Sequence, residues 1–239
     1  MDARWIEALI NQAVPALATL IAAFVGAWFA FLLTDRAHVR LLENENAAAV
    51  NQALFTLLRQ YNALKNVKDQ LIDPVRNDPG KFINMQALPP LAYATLRPEF
   101  DLLSFLLETE QRGLLVDLML ENERFHAAVF AVNERSQLHL EVVQPLLVRA
   151  GVREGGQYPM ADVEAALGPQ FGPHLKRSTD DAISHVDSCC VSLLAFGNHF
   201  ADEMKKLFPT KKFIKFEAKA APNQPLNTDA QQASLPRAG

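Results

Sequence analysis

The sequence predicts an all-α protein: an N-terminal single transmembrane helix continuing into a long helix, then an antiparallel helical bundle, then a disordered C-terminal tail. Three observations predict it. Residues 8–34 carry no ionised side chain, because no charge falls between Glu7 and Asp35. Apolar residues then recur at three- and four-residue spacings through most of the chain, the period of a helix with one buried face. The last stretch, 220–239, holds three Pro, three Gln and no aromatic residue, a composition that cannot bury a core.

Composition sets the outer limits. The chain has 239 residues, of which 49% are hydrophobic and 21% charged, enough for one large domain or two small ones. Two cysteines exclude a disulfide framework and a multi-cysteine zinc or iron–sulfur site. A net charge of −4 argues against a dedicated nucleic-acid binder, which is usually basic. Three Tyr, two Trp and ten Gly argue against an antiparallel β-sandwich.

The anchor comes first (residues 1–40 with its flanks). Its most apolar part, residues 13–33, covers roughly 30 Å as a helix, the thickness of a bilayer's hydrocarbon core. A signal peptide would start basic and have a shorter apolar run; here Asp2 and Glu7 oppose Arg4. Trp5 and Trp28 fall where amphipathic rings favour the two interfaces, and Pro15 falls near the start of the apolar run. Arg36 and Arg40 follow the span, with His38 between them, whereas only Arg4 and the α-amino group precede it. The positive-inside rule then puts the amino terminus outside and the C-terminal domain in the cytoplasm, at a plasma or inner membrane. The adjacent pair Cys189-Cys190 agrees, since neighbouring residues on a helix rarely join and free thiols suit a reducing compartment. Ala18, Ala22, Gly26 and Ala30 recur every four residues, which lets two membrane helices approach closely.

Residues 41–208 read as the bundle. From 35 to 72 the helix continues, with Ala47, Ala48 and Ala49 favouring it. Val50, Leu54, Leu57, Tyr61, Leu64 and Leu71 follow an a/d heptad spacing, with Lys68 in the missing slot. That spacing fits either a parallel dimer stalk or an amphipathic helix packed on its own domain. Asp73-Pro74 and Asp78-Pro79-Gly80 end it. Residues 73–97 are a long connection with Pro89-Pro90, with a short strand or turn near Phe82-Ile83 or a role covering a groove. Pro98 opens a second helical region, divided at Gly113 from a longer helix that ends near Gly151 and kinks at Pro145. A second connection, 152–173, encloses a short helix at 161–167. A last long helix runs from about Pro173 to Phe208 and stops at Pro209.

Several polar clusters are candidate sites. Glu123-x-x-His126 has one half of the di-iron helix spacing, but the second motif is missing from the chain. Arg135 and His139, four apart, are neighbours on one helix face within the dense polar run 133–139. The pair resembles the Arg/His pair of the metal-independent ribonucleases of the HEPN class, although three residues intervene here where that class has four to six. The alternative is a polar or interhelical hydrogen-bond face, with Glu134 and Glu141 as ion-pair partners. Asp181, His185 and Cys189 also step by four and would align an acid, a base and a thiol; the alternatives are a thiol buried and inert in an apolar helix and a metal site from Asp181, His185 and a residue of another helix. Phosphate-loop, Gly-x-Ser-x-Gly and His-Glu-x-x-His motifs are all missing, and the sequence implies no cofactor and no metal. Finally, Lys205, Lys206, Lys211, Lys212, Lys215 and Lys219 interleave with Leu207, Phe208, Phe213, Ile214 and Phe216 across the segment 209–219 and the helix end before it. That pattern suits an anionic membrane surface and would also suit nucleic-acid phosphates; its alternative is a short edge strand or a solvated helix end.

Read together, these features favour a membrane-anchored interaction protein (an adaptor, sensor or assembly subunit) over an enzyme. Its expected partners are the lipid bilayer, a second copy through the membrane and heptad faces, and a protein ligand, with no specific nucleic acid. The alternative is a membrane-tethered enzyme, such as a nuclease using the Arg135/His139 face.

Overall fold

A computed structural model describes residues 3–152, 156 and 158–216, without the side chains of 3–16 and 18. The expected disordered tail lies outside the described residues. Among the described residues 82% are helical and no strand occurs.

Helix α1, Ala3–Val67, is unbroken over 65 residues, about 100 Å at 1.5 Å per residue. The expected continuation of the apolar span into a long helix is therefore present. No described side chain from 17 to 46 is buried. From Ala47 onward, Val50, Leu54, Leu57, Tyr61 and Leu64 turn into the core. Burying each such leucine contributes about 1.5–3 kcal/mol. Among the described residues one helix, taken from Thr19, is long and apolar enough to cross a membrane; its most apolar window has a mean hydropathy of 1.5 and none of it is buried.

The heptad face thus packs inside its own bundle and is not free to pair a second copy. The a/d spacing is the same for a coiled-coil seam and for a bundle helix, so spacing could not separate them. Lys68, in the empty slot, donates to Asp187 at 2.6 Å.

After α1 the chain passes through a π turn, Lys68–Ile72, and a 3-10 turn, Asp73–Val75. It then forms the one-turn helix α2, Lys81–Asn84, where the sequence suggested a strand or turn. Residues 85–97 run without regular structure, and two 3-10 segments, Phe100–Glu108 and Glu110–Arg112, replace the α-helix expected after Pro98. Helix α3, Gly113–Leu138, follows. A π turn, His139–Val143, precedes α4, Gln144–Arg149. Pro145 lacks an N–H and its ring crowds the carbonyl four residues back, which explains the irregular turn at this point. Gly151, at φ 79°, closes α4, and the Val152 N–H returns to the Leu147 carbonyl at 2.9 Å, as in a glycine C-cap.

Helix α5, Met160–Leu207, is longer than expected because the connection 152–173 is mostly helical. Gly168, at φ 71° and ψ 177°, breaks it into two. The expected short helix is its first piece, and Pro169 starts the second, where a missing N–H costs little.

Cross-helix pairs fix the directions. Glu121 of α3 meets Ser192 of α5, and Arg135 meets Thr179. Asn51 of α1 meets Lys212 just past α5, and Lys68 meets Asp187. Helix α5 is therefore antiparallel to both α1 and α3, which run the same way as each other. Returning the chain from the end of α1 to the start of α3 takes roughly 30 Å, about ten extended residues. That requirement explains the long connection.

Candidate functional site

The first candidate pair, Arg135 and His139 in the polar run on α3, is packed inside the fold. Arg135 is fully buried (0% exposed). Its Nη1 donates to the Gln86 carbonyl at 3.0 Å, and its Nη2 donates to the carbonyls of Phe82, at 3.1 Å, and Met85. Its Nε approaches Thr179 Oγ1 at 3.4 Å. These carbonyls belong to α2 and the residues just after it, so Arg135 caps that helix from the side. Burial pulls the guanidinium down to about 10, which leaves it charged at neutral pH. It faces neutral acceptors, and the expected partner Glu134 is on the exposed side of α3.

His139 lies 3.5 Å from Arg135 Nη2 through its Nδ1 and is buried. Burial first, then the Arg135 charge, push it down to about 4, so it is neutral at pH 7. Glu141 instead accepts from Gln137 at 3.2 Å. A phosphodiester could not reach either member of the Arg135/His139 pair. The geometry is that of a structural clamp.

The same face of α3 holds the rest of the connection. Asn133 accepts from the Leu91 N–H at 2.8 Å and donates to the Leu91 carbonyl at 3.2 Å. Ser136 Oγ accepts from the Leu88 N–H at 3.2 Å. Pro89 and Pro90 between them have no N–H, so every amide donor from 88 to 91 is satisfied. Upstream, buried Gln60 donates to the Leu96 carbonyl at 2.8 Å and to Asn122 Oδ1 at 3.0 Å. Gln60 was not singled out by sequence reasoning, and Asn133 only as the first residue of the polar run. Their signal was a polar residue on an otherwise apolar helix face.

The second candidate cluster does not assemble. Asp181 and His185 are exposed, whereas Cys189 is buried. Steps of four drift round a helix by about 40° each, which carries the third residue inward. Burial pushes the Cys189 thiol up to about 12 and the Cys190 thiol up to about 11. Both are free and protonated, hence poor nucleophiles. Asp181 instead lies 3.8 Å from Arg177. The two share a shallow depression of about 190 Å³ with Glu134, His174 and Ser178. A wider one, about 420 Å³, sits at the α5 elbow beside Gly168, Gly172 and the Lys176–Glu164 pair. No group of three metal-ligating side chains occurs among the described residues.

The basic segment folds back on the bundle. Phe216 is buried, and Phe213, Ile214 and Phe208 pack against the core. The large apolar side chains expected to meet a leaflet therefore point inward. Lys205 donates to the Pro209 and Lys211 carbonyls, both at 2.7 Å. Lys206 pairs with Glu203, Lys211 with Asn44 and Lys215 with Asp202. Lys212 is exposed, and Lys219 lies outside the described residues.

Of the small residues spaced by four on α1, Ala22, Gly26 and Ala30 are exposed, and a Cβ at Gly26 would meet nothing within 4 Å. The Ala18 side chain lies outside the described residues.

No protein-family model, curated protein or solved structure matches this chain. The fold defines its class: a helical protein with, among the described residues, one helix able by length and composition to span a membrane.

Proposed function

We propose that this chain is a single-pass membrane protein whose helical bundle is an interaction module, held off the bilayer on a continuous helix. One observation carries the reading. The described apolar side chains of α1 between 17 and 33 are uncovered, with Phe24 70% exposed, while the same helix from Ala47 onward is packed into the core. Water is a poor partner for so large an apolar surface, and a bilayer covers it completely.

The mechanism is positional. Residues 34–43 form a rigid stalk of about 15 Å between the span and the first bundle residues. The bundle is therefore presented to partners at a fixed height. The face of Ala18, Ala22, Gly26 and Ala30 pairs two copies within the bilayer, replacing the heptad face, which the bundle uses itself. The basic flank, Arg36 and Arg40, holds the bundle on the cytoplasmic side.

Labelling tests this reading. In a Cys189→Ala/Cys190→Ala chain, a single Ser234→Cys thiol is exposed to a membrane-impermeant maleimide in intact cells. Reaction only after lysis is the expected result. Reaction in intact cells would place the bundle outside and overturn the orientation. A Gly26→Leu change is expected to reduce the dimer fraction in detergent severalfold.

A further inference from the structure

The segment after α5 has no regular structure of its own between Lys212 and Phe216, yet it sits in a shaped seat between α1 and α5. Asn51 of α1 donates to the Lys212 carbonyl at 3.0 Å and accepts from the Ile214 N–H at 3.2 Å. Asn198 of α5 accepts from the Phe216 N–H at 2.9 Å and donates to the Phe216 carbonyl at 3.2 Å. All four bonds read backbone. Two side-chain amides thus do for an extended peptide what a sheet edge does elsewhere.

Selectivity comes from shape and charge. Gly197 leaves a notch for the Phe216 ring; a Cβ there would fall 2.2 Å from the ring. At the rim, Asp202 pairs with Lys215 at 2.8 Å. A turn closed by the Lys211 N–H on the Phe208 carbonyl, at 3.0 Å, joins the segment to α5. Pro209 sits at that turn's second position, where proline is preferred.

We propose that this groove is a peptide-docking site and that residues 212–216 are its replaceable ligand, exchanged with the same segment of a second copy. A docked and an exchanged segment make the same contacts from Lys211 onward, so exchange changes only the path of the chain through Pro209 and Thr210 and the local concentration. Confinement to a bilayer raises that concentration. This last step rests on the anchor reading; the seat itself does not.

Two single-cysteine variants test it in the full chain with Cys189→Ala/Cys190→Ala. Asn44→Cys marks the groove end and Lys211→Cys marks the segment, since these residues touch within one copy. The two are co-reconstituted in vesicles, incubated and treated with a short bismaleimide. A double variant carrying both cysteines reports the within-chain reaction. The expected result is a between-chain product that falls at least about tenfold when the Asn44→Cys copy also carries Gly197→Val, as loss of a specific seat requires. A mixed product no greater than in the Gly197→Val mixture, with the double variant reacting within itself, would overturn the proposal. Flotation of the same vesicles reports the anchor separately. If the chains fail to float, the anchor reading fails, and the exchange assay repeated in solution still decides the groove.

Discussion

Residues 17–46 and residues 47–67 belong to one unbroken helix, yet they meet different surroundings. No described side chain in the first stretch is buried, and in the second a side chain turns into the core every three or four residues. Both are rich in apolar residues. The difference is one of pattern. Large apolar groups occur all round the helix in 17–33, and mainly on one side after Ala47. A helix that is apolar all round needs cover all round. A one-sided helix is satisfied by two neighbours, here α3 and α5.

The contrast can be broken by placing the same charge in each half. Leu57→Asp buries a carboxylate beside fully buried neighbours and is expected to cost more than about 4 kcal/mol, abolishing the cooperative melt followed by circular dichroism. Leu20→Asp is expected to leave that melt within about 0.5 kcal/mol while releasing protein from membranes, because a charge at mid-span costs about 3 kcal/mol of insertion.

The next effect concerns the Arg135 clamp on α2. Arg135→Met orphans the carbonyls of Phe82, Met85 and Gln86 and is expected to cost about 2–4 kcal/mol. Chemical denaturation measures it, and an unchanged midpoint would contradict the clamp. His139 supplies a pH signature. Its folded-state value is depressed to about 4, below the usual 6.5 of the unfolded chain. Between these values the unfolded state binds more protons, so stability falls as pH drops from about 6.5 to 4 and levels off below that. The loss is expected to reach about 3 kcal/mol, and His139→Gln is expected to remove that part of the slope. Asn133→Ala, which deletes two bonds to Leu91, is expected to cost about 1–2 kcal/mol and to speed proteolysis within 85–97.

Much of this contrast was legible in the sequence. The uncharged run ending at Asp35, the helical spacing of Val50 to Leu64 and the stop at Pro209 each follow from a local rule, and each element is where that rule puts it. The polar residues were harder to read. Arg135 and His139 look alike as a catalytic pair and as a buried clamp, because spacing on one helix does not say what packs against it. What packs there is α2 and the residues just after it, about 50 residues away in sequence, whose terminal carbonyls needed partners that a one-turn helix does not supply. Asn51 and Asn198 were unreadable for the same reason. The inward turn of Phe213 and Phe216 depends on a notch at Gly197 that no local pattern announces.

The central claim is that lipid covers the first half of α1. The most direct measurement is flotation of membranes from expressing cells after alkaline carbonate extraction, with the intact mass of the floating protein. The account predicts that the full chain floats with residues 1–40 still present, while a chain of residues 41–239 stays in the soluble fraction. A full-length chain left in the soluble fraction, or one whose mass shows the apolar run removed, would contradict it.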